Sequence, residues 1–197
     1  MRPCTRGDAP DELAREGEAI GRNYAARRRE DPRYRFQWRR SLLQVVRDAL
    51  GRMTDEHCSY CDVYPIDGAG EETIDHFRPK GRPEFHERVC EWSNLFLVCT
   101  ACNKAKLEQW NEALLRPDAP EFRFERYFEY DDDSGKLRPS AAASPEDQAR
   151  AQLTIDIFDL NRRGACTNRR RTAEWIRRIS PDVDGYRFLI PICQLAE

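Results

Sequence analysis

The sequence predicts an α+β fold, in which a small cysteine-framed module of short strands and one helix lies between two helical flanks. Apolar residues recur at helical spacing on both sides of this module, and two Cys-x-x-Cys pairs frame it. An apolar run leads into the second pair as a buried strand would. The 197 residues fit a single domain with a helical flank (1–56), a core (57–116), and a hairpin followed by a second helical flank (117–197).

The amino-terminal flank predicts a helical hairpin. A first helix is expected from Asp11 to Glu30, where apolar or small residues recur every three or four positions, and Pro32 then breaks the pattern. A second helix is predicted from Tyr34 to Met53, with arginines opposite an apolar stripe that comprises Phe36, Leu42, Leu43, Val46 and Leu50. Such a hairpin would brace the core and could carry phosphate contacts.

The carboxy-terminal flank predicts a β-hairpin followed by two helices. Aromatic and charged residues alternate over 122–137 around Asp133-Ser134-Gly135, which is typical of a hairpin. Ser144 followed by a proline and acidic residues indicates a helix start. An arginine-rich helix is expected from Asn161 to about Ile179, ended by Ser180 and Pro181, and the apolar tail after it would pack or dock.

The charge pattern is more informative than the net charge of -2. Ten arginines against three acids lie in 22–52, seven arginines against one acid in 162–178, and seven acids against two arginines in 118–133. These blocks predict a surface that faces a polyanion and a separate acidic face, or else ordinary solvated helix faces.

Two composition features bear on the compartment. No run of about 18 apolar residues occurs, and the first residues lack the apolar run of a signal peptide. We therefore expect a soluble, cytoplasmic protein without membrane contact.

The cysteines predict a structural metal site. Cytosolic thiols stay reduced, so the eight cysteines do not predict a disulfide framework. Cys58 and Cys61 form one pair and Cys99 and Cys102 the other, and two such pairs complete a tetrahedral Cys4 site for Zn²⁺. The other cysteines have no partner spacing and are expected to be small buried apolar residues: Cys4, Cys90, Cys166 and Cys193.

The residues between the cysteine pairs predict chemistry. Both pairs would hold one ion, which brings the Asp75-His76 step near the helix that carries Asn103 and Lys106. Carboxylate and amide oxygens suit Mg²⁺, and a neutral imidazole can take a proton from water. This set fits phosphodiester hydrolysis. Taken singly, each residue has a structural explanation: a strand end for Asp75-His76, a turn for Asn94 and a helix start for Asn103.

The ordered set Asp75-His76, Asn94 and Cys102-Asn103-x-x-Lys106, framed by two cysteine pairs, resembles the signature of the HNH (ββα-metal) endonucleases over about residues 57–110. Further segments are similar to the PtuB-like HNH proteins, namely CSYCD, IDHFRPK, WSNLFLVCTACNKAK, FERYFEYDDDSGKLRP and LTIDIFDLNR. Those proteins are the nuclease partners of PtuA ATPases in Septu and retron-linked anti-phage systems.

The resemblance implies a zinc-stabilised ββα-metal HNH module with helical flanks, in a hetero-oligomer with a PtuA-like ATPase and with DNA favoured over RNA as substrate. By the resemblance, His76 is the general base that activates water, and Asp75 and Asn103 hold a catalytic Mg²⁺ or Mn²⁺ at the scissile phosphate. Asn94 orients the loop that carries His76, and Lys106 contacts phosphate. The family often has histidine where this chain has Asn103, which leaves the metal type open.

Several nearby residues receive other interpretations. His57 adjoins a cysteine pair and is expected outside the ligand set, while His86 is expected at the surface or in a secondary phosphate or metal contact. Arg78 and Lys80 would line a substrate groove or be ordinary loop charges. Two other functions stay open: a zinc-stabilised nucleic-acid-binding or adaptor module without catalysis, and a stand-alone restriction-like HNH nuclease.

Overall fold

The centre of the fold is a two-stranded antiparallel sheet followed directly by a helix. A computed structural model describes residues 1–66, 71–179 and 185–194. Strand β1 (Glu72–His76) pairs with β2 (Leu95–Cys99), and helix α3 (Thr100–Lys106) follows β2 without a loop. All five residues of β2 are buried, because this apolar strand lies inside the core rather than at its surface. The expected α+β class is confirmed.

The amino-terminal flank contains two helices, α1 (Asp11–Glu30) and α2 (Arg40–Thr54). The first prediction is confirmed at both ends, but the second is wrong at its start, since α2 begins six residues after Tyr34. Phe36 therefore lies on an extended segment, and Leu43 is exposed rather than part of a buried stripe. The physical reason is the alternation of aromatic and polar residues over 33–39, which is the two-residue period of extended chain.

The connection between β1 and β2 packs against α1. It contains a 3₁₀ helix (Pro83–Cys90) and a shorter one (Trp92–Asn94). Glycines of α1 permit this close approach, because a Cβ atom at Gly21 would lie 2.1 Å from the carbonyl oxygen of Glu87. The connection thereby becomes one wall of the region around the end of β1.

The carboxy-terminal flank begins with a hairpin. A short helical turn, α4 (Phe124–Tyr127), precedes strands β3 (Phe128–Asp131) and β4 (Lys136–Pro139), which pair antiparallel. Gly135 has a φ of 70°, in the left-handed region that suits glycine. The predicted hairpin is confirmed, although its first residues are helical rather than extended.

Three helices follow in the described residues of this flank: α5 (Pro145–Ile157), α6 (Arg163–Arg178) and α7 (Leu189–Gln194). The expected helix start is confirmed, since the Ser144 hydroxyl accepts a hydrogen bond from the Asp147 amide. The predicted stop at Ser180 and Pro181 lies outside the described residues. Within the part of the chain that the structure describes, no helix is both long and apolar enough to cross a membrane.

Candidate functional site

The four cysteines of the two pairs form one buried cluster. Their sulfur atoms all lie within 4.8 Å of one another, and those of Cys61 and Cys99 are 3.8 Å apart. With Zn–S bonds of about 2.3 Å, a regular tetrahedron also places its sulfurs about 3.8 Å apart. The cluster therefore fits a structural metal such as Zn²⁺, which Cys58, Cys61, Cys99 and Cys102 would hold.

Groups around the cluster are suited to stabilise negatively charged thiolate sulfurs. The backbone amide of Cys99 donates to Sγ of Cys58 at 3.3 Å. The Arg162 guanidinium, just before α6, lies 3.3 Å from Sγ of Cys61, 3.5 Å from that of Cys102 and 3.7 Å from that of Cys99. Burial lowers the pKa of Arg162, but the sulfurs outweigh this effect and leave its pKa above the usual value. Arg162 therefore stays charged beside the cluster.

Asp75 and Lys106 form a buried ion pair. The Lys106 ammonium lies 3.2 Å from the Asp75 carboxylate and 2.7 Å from the carbonyl oxygen of His76, and its side chain has no exposed surface. Tyr60 also donates to the Asp75 carboxylate, at 2.7 Å. Burial lowers the pKa of Lys106, while the charge of Asp75 opposes that effect. In this arrangement Lys106 holds the end of β1 to α3 and does not reach a phosphate at the surface.

Asn103 lies on the same side of β1 as Asp75. Its Nδ2 donates to Oγ1 of Thr73 at 2.9 Å, and Thr73 and Asp75 share one face of the strand because they are two residues apart. Asn103 and Lys106 share one face of α3. The structure thus brings Asp75, Asn103 and Lys106 to one interface, and among the described residues Oδ1 of Asn103 accepts no hydrogen bond.

His76 is the last residue of β1, and its side chain points away from Asp75. Its Nε2 lies 2.9 Å from the carbonyl oxygen of Val89. A carbonyl oxygen only accepts, so Nε2 carries the proton and Nδ1 carries the lone pair. Nδ1 is buried and has no partner. In the described residues, no hydrogen bond joins the His76 ring to Asp75, Asn94, Asn103 or Lys106.

The surroundings of His76 keep its ring neutral. Burial, together with the positive charges of Lys80 and Lys106, lowers the pKa of His76 from its usual 6.5 to about 3, although the hydrogen bond to the Val89 carbonyl opposes this shift. The neutral imidazole is the form that can accept a proton. At neutral pH the Nδ1 lone pair is therefore free to act as a base once water can reach it.

Asn94 fixes the loop that follows His76. Its Oδ1 accepts from the Arg78 amide at 2.7 Å, and its Nδ2 donates to the carbonyl oxygens of Arg78 and Arg88, both at 3.1 Å. The carbonyl oxygen of Asn94 accepts from the Phe77 amide. One buried carboxamide thus ties the loop after β1 to the end of the 3₁₀ helix that carries Val89, the partner of His76.

The other two histidines and three of the four other cysteines are buried. His86 is not at the surface: it is buried against the Tyr24 ring and near the Arg28 guanidinium, because the 3₁₀ helix packs on α1. His57 is buried beside Asp62, outside the ligand set. Cys90, Cys166 and Cys193 are buried as predicted, and Cys4 is half-buried.

Sequence reasoning missed the partners that complete the site. Tyr60 lies between two cysteines and Arg162 within a basic stretch. No local sequence pattern indicates that Tyr60 contacts Asp75 or that Arg162 contacts the cysteine sulfurs. Trp38, whose ring lies 6.3 Å from the imidazole of His76 between ring centroids, did have a local signal, because aromatic residues that alternate with polar ones mark an extended chain. Comparisons with protein-family models and with curated proteins find no match for the chain.

Proposed function

We propose that this chain is a metal-dependent HNH-type endonuclease that hydrolyses phosphodiester bonds in nucleic acid, with DNA as the favoured substrate. The observation that carries the proposal is the hydrogen bond between Nε2 of His76 and the Val89 carbonyl oxygen. A buried carbonyl holds Nε2–H, so Nδ1 presents a neutral lone pair at the end of a strand. Histidine in this state is suited to take a proton from an attacking water.

Asp75 and Asn103 would hold a divalent cation, Mg²⁺ or Mn²⁺, which when bound supplies positive charge at the scissile phosphate. The donor set fits such a hard cation, since Oδ1 of Asn103 accepts no hydrogen bond in the described residues and a carboxylate has room for more than two partners. The Lys106 ammonium neutralises Asp75 and so weakens its attraction for a cation.

Each side chain then has a defined task. His76 receives the proton of water at Nδ1, and the Val89 carbonyl steadies the imidazolium that forms. Asn94 holds the loop after His76 in a fixed position relative to Val89. Lys106 holds the strand end through the carbonyl of His76. The cysteine cluster would fix β2 and α3 with a structural Zn²⁺.

The wider role follows only from the resemblance. We infer a cytoplasmic defence nuclease that assembles with a PtuA-like ATPase. Purification of the chain co-expressed with a PtuA-like protein would test the assembly, and a stand-alone nuclease would instead cut without it.

A second candidate is a zinc-stabilised nucleic-acid-binding module without catalysis. The observations that favour it are the Lys106–Asp75 pair, which satisfies Asp75 without a divalent cation, and the burial of His76. The two candidates differ in whether bound nucleic acid is cut.

Plasmid and single-strand cleavage with Mg²⁺ or Mn²⁺, by the chain alone and with its co-expressed partner, separates these candidates. We expect His76→Ala to lower the rate by about 10²–10⁴-fold, the usual contribution of a general base. His86→Ala, which removes another buried histidine, should retain the wild-type rate, and zinc content should be equal in all three proteins. Cleavage by His76→Ala at the wild-type rate would contradict the assigned base, and binding without cutting under all conditions would favour the binding module.

A further inference from the structure

Residues 34–39, which we call the strap, cross the protein between α1 and α2 in an extended conformation. Its aromatic side chains are half-buried, whereas the residues between them are exposed. The inner row comprises Tyr34, Phe36 and Trp38. The exposed arginines on the opposite face and directly beside the two ends of the strap are called the outer row: Arg33, Arg35, Arg39 and Arg40.

Hydrogen bonds and ion pairs hold the two ends of the strap but not its middle. Arg28 donates to the carbonyl oxygen of Tyr34 at 3.2 Å, and Arg39 pairs with Glu12 and Glu16 of α1. Over residues 35–38, the structure as described contains no hydrogen bond from the backbone to any other residue. Aromatic contacts alone therefore hold the middle of the strap, which makes its local opening easy compared with that of a paired strand.

The strap covers His76. The Trp38 ring stacks on the imidazole with a centroid distance of 6.3 Å, and the Phe36 ring meets it edge-on at 6.1 Å. The exposed fraction of His76 is 3%, and its Nδ1 has no partner. A buried nitrogen lone pair without a partner is costly, and water cannot reach it while the strap is closed.

We propose that the strap is a lid over His76, and that nucleic-acid phosphates open it by binding the arginines of its outer row. This inference rests on the proposed function, because it assigns His76 the task of receiving a proton. Side-chain partners occupy Arg39, but none contacts Arg33, Arg35 or Arg40 among the described residues. These three guanidiniums suit phosphate recognition. A nucleic-acid backbone that binds along them would draw the strap away from the His76 ring beneath it.

The lid itself is tested by the chemical reactivity of His76, without nucleic acid or catalysis. Diethyl pyrocarbonate modifies accessible imidazoles, and peptide mass spectrometry distinguishes the three histidines. We expect Trp38→Ala to accelerate modification of His76 by about tenfold, because loss of one aromatic contact shifts local opening by about that factor. Trp175→Ala is the matched control, since Trp175 is half exposed on α6. Equal rates in the two variants would overturn the lid.

The opening by nucleic acid is tested with a short DNA duplex and no added divalent cation. The difference in tryptophan fluorescence between the wild type and Trp38→Phe reports the environment of Trp38. We expect the emission of Trp38 to shift to longer wavelength when the duplex binds. Arg33→Gln/Arg35→Gln should weaken both binding and its salt dependence relative to Arg15→Gln/Lys136→Gln, which removes two exposed cations outside the basic segments. Binding without the emission shift would overturn the opening. Cleavage that fails while His76 is uncovered in Trp38→Ala would contradict the proposed function and leave the lid standing.

Discussion

At the scale of single residues, the ion pair of Lys106 and Asp75 is the most consequential contact of the candidate site. The two charges are almost fully buried, so each depends on the other for its solvation. Lys106 also donates to the carbonyl oxygen of His76. A change at Lys106 should therefore act on stability first, and on the end of β1 that carries both Asp75 and His76.

We expect Lys106→Met to lower the free energy of unfolding by about 3–5 kcal/mol, because it leaves a buried carboxylate without its cation. The double variant Asp75→Asn/Lys106→Met should lose less than the sum of the single changes. Urea unfolding of the zinc-loaded proteins measures both. Lys104→Met, an exposed change on the same helix, should stay within about 0.5 kcal/mol of the wild type. A Lys106→Met protein as stable as Lys104→Met, but weaker in binding DNA, would instead favour the phosphate contact.

For the cysteine cluster and for Asp75, Asn103 and Lys106, the sequence predicted which residues lie together better than it predicted their contacts. Cysteine spacing alone was enough to predict the cluster, because two knuckles must share one ion to be satisfied. Side-chain direction was harder: adjacent strand residues point to opposite faces, so Asp75 and His76 separate although they are neighbours in the chain. The partners of Asp75, Lys106 and Tyr60, follow from packing that no local pattern encodes.

At the scale of elements, local sequence patterns predicted helices correctly where a single hydrophobic period dominates the segment. Helix α1 was predicted at both ends, and α5 through its serine cap. The predicted start of α2 at Tyr34 was wrong because Phe36 was counted in a helical stripe, whereas Tyr34, Phe36 and Trp38 alternate with polar residues. The predicted start of α6 at Asn161 lies close to its observed start at Arg163. The basic stretch that contains this start nevertheless predicted a solvated or polyanion-facing surface. Arg162 instead contacts the cysteine cluster.

Arg162 connects α6 to the cysteine cluster, and this contact is open to a direct test. A Cys4 site with Zn²⁺ carries a net negative charge, which a neighbouring guanidinium stabilises. We expect Arg162→Ala to weaken zinc retention by about 10–100-fold, measured by competition with a chromophoric chelator. Arg162→Lys should recover part of the loss. Arg163→Ala, an exposed neighbour on α6, should bind zinc like the wild type, and the same result for Arg162→Ala would show that its charge is not needed.

At the scale of the whole molecule, residues far apart in sequence share one apolar core. A single buried cluster includes residues from Met1 to Cys193. Polar contacts join the same regions: Arg6 donates to the carbonyl oxygens of Trp92 and Leu95 and pairs with Asp118. The sequence placed Asp118 in an acidic surface segment, whereas in the structure its carboxylate is buried. Charge counts along the chain cannot distinguish these cases, because burial depends on the path of the whole chain.

Asp118 holds this junction between Arg6 and Arg116, and its removal should loosen the whole fold. Its carboxylate lies 2.6 Å from Nε of Arg6 and 2.9 Å from Nη2 of Arg116. Burial alone would raise the pKa of Asp118, but the two guanidiniums outweigh burial and lower it below the usual 3.8. The folded state therefore binds a proton less readily than the unfolded state. The stabilisation is complete above about pH 4 and is lost as the pH falls below that value.

We expect Asp118→Asn to lower the free energy of unfolding by about 1.5–3 kcal/mol, the range for hydrogen bonds to charged groups. Because the pKa window lies below pH 4, the loss should be the same at pH 7 and pH 5, measured by urea unfolding with zinc present. Glu18→Gln breaks an exposed pair with Arg22 and should change stability by less than about 1 kcal/mol. A loss for Asp118→Asn that grows between pH 7 and pH 5 would mean that the folded state binds the proton more readily than the unfolded state, so that the pKa of Asp118 is raised rather than lowered. The junction would then be held by the apolar core rather than by its charges.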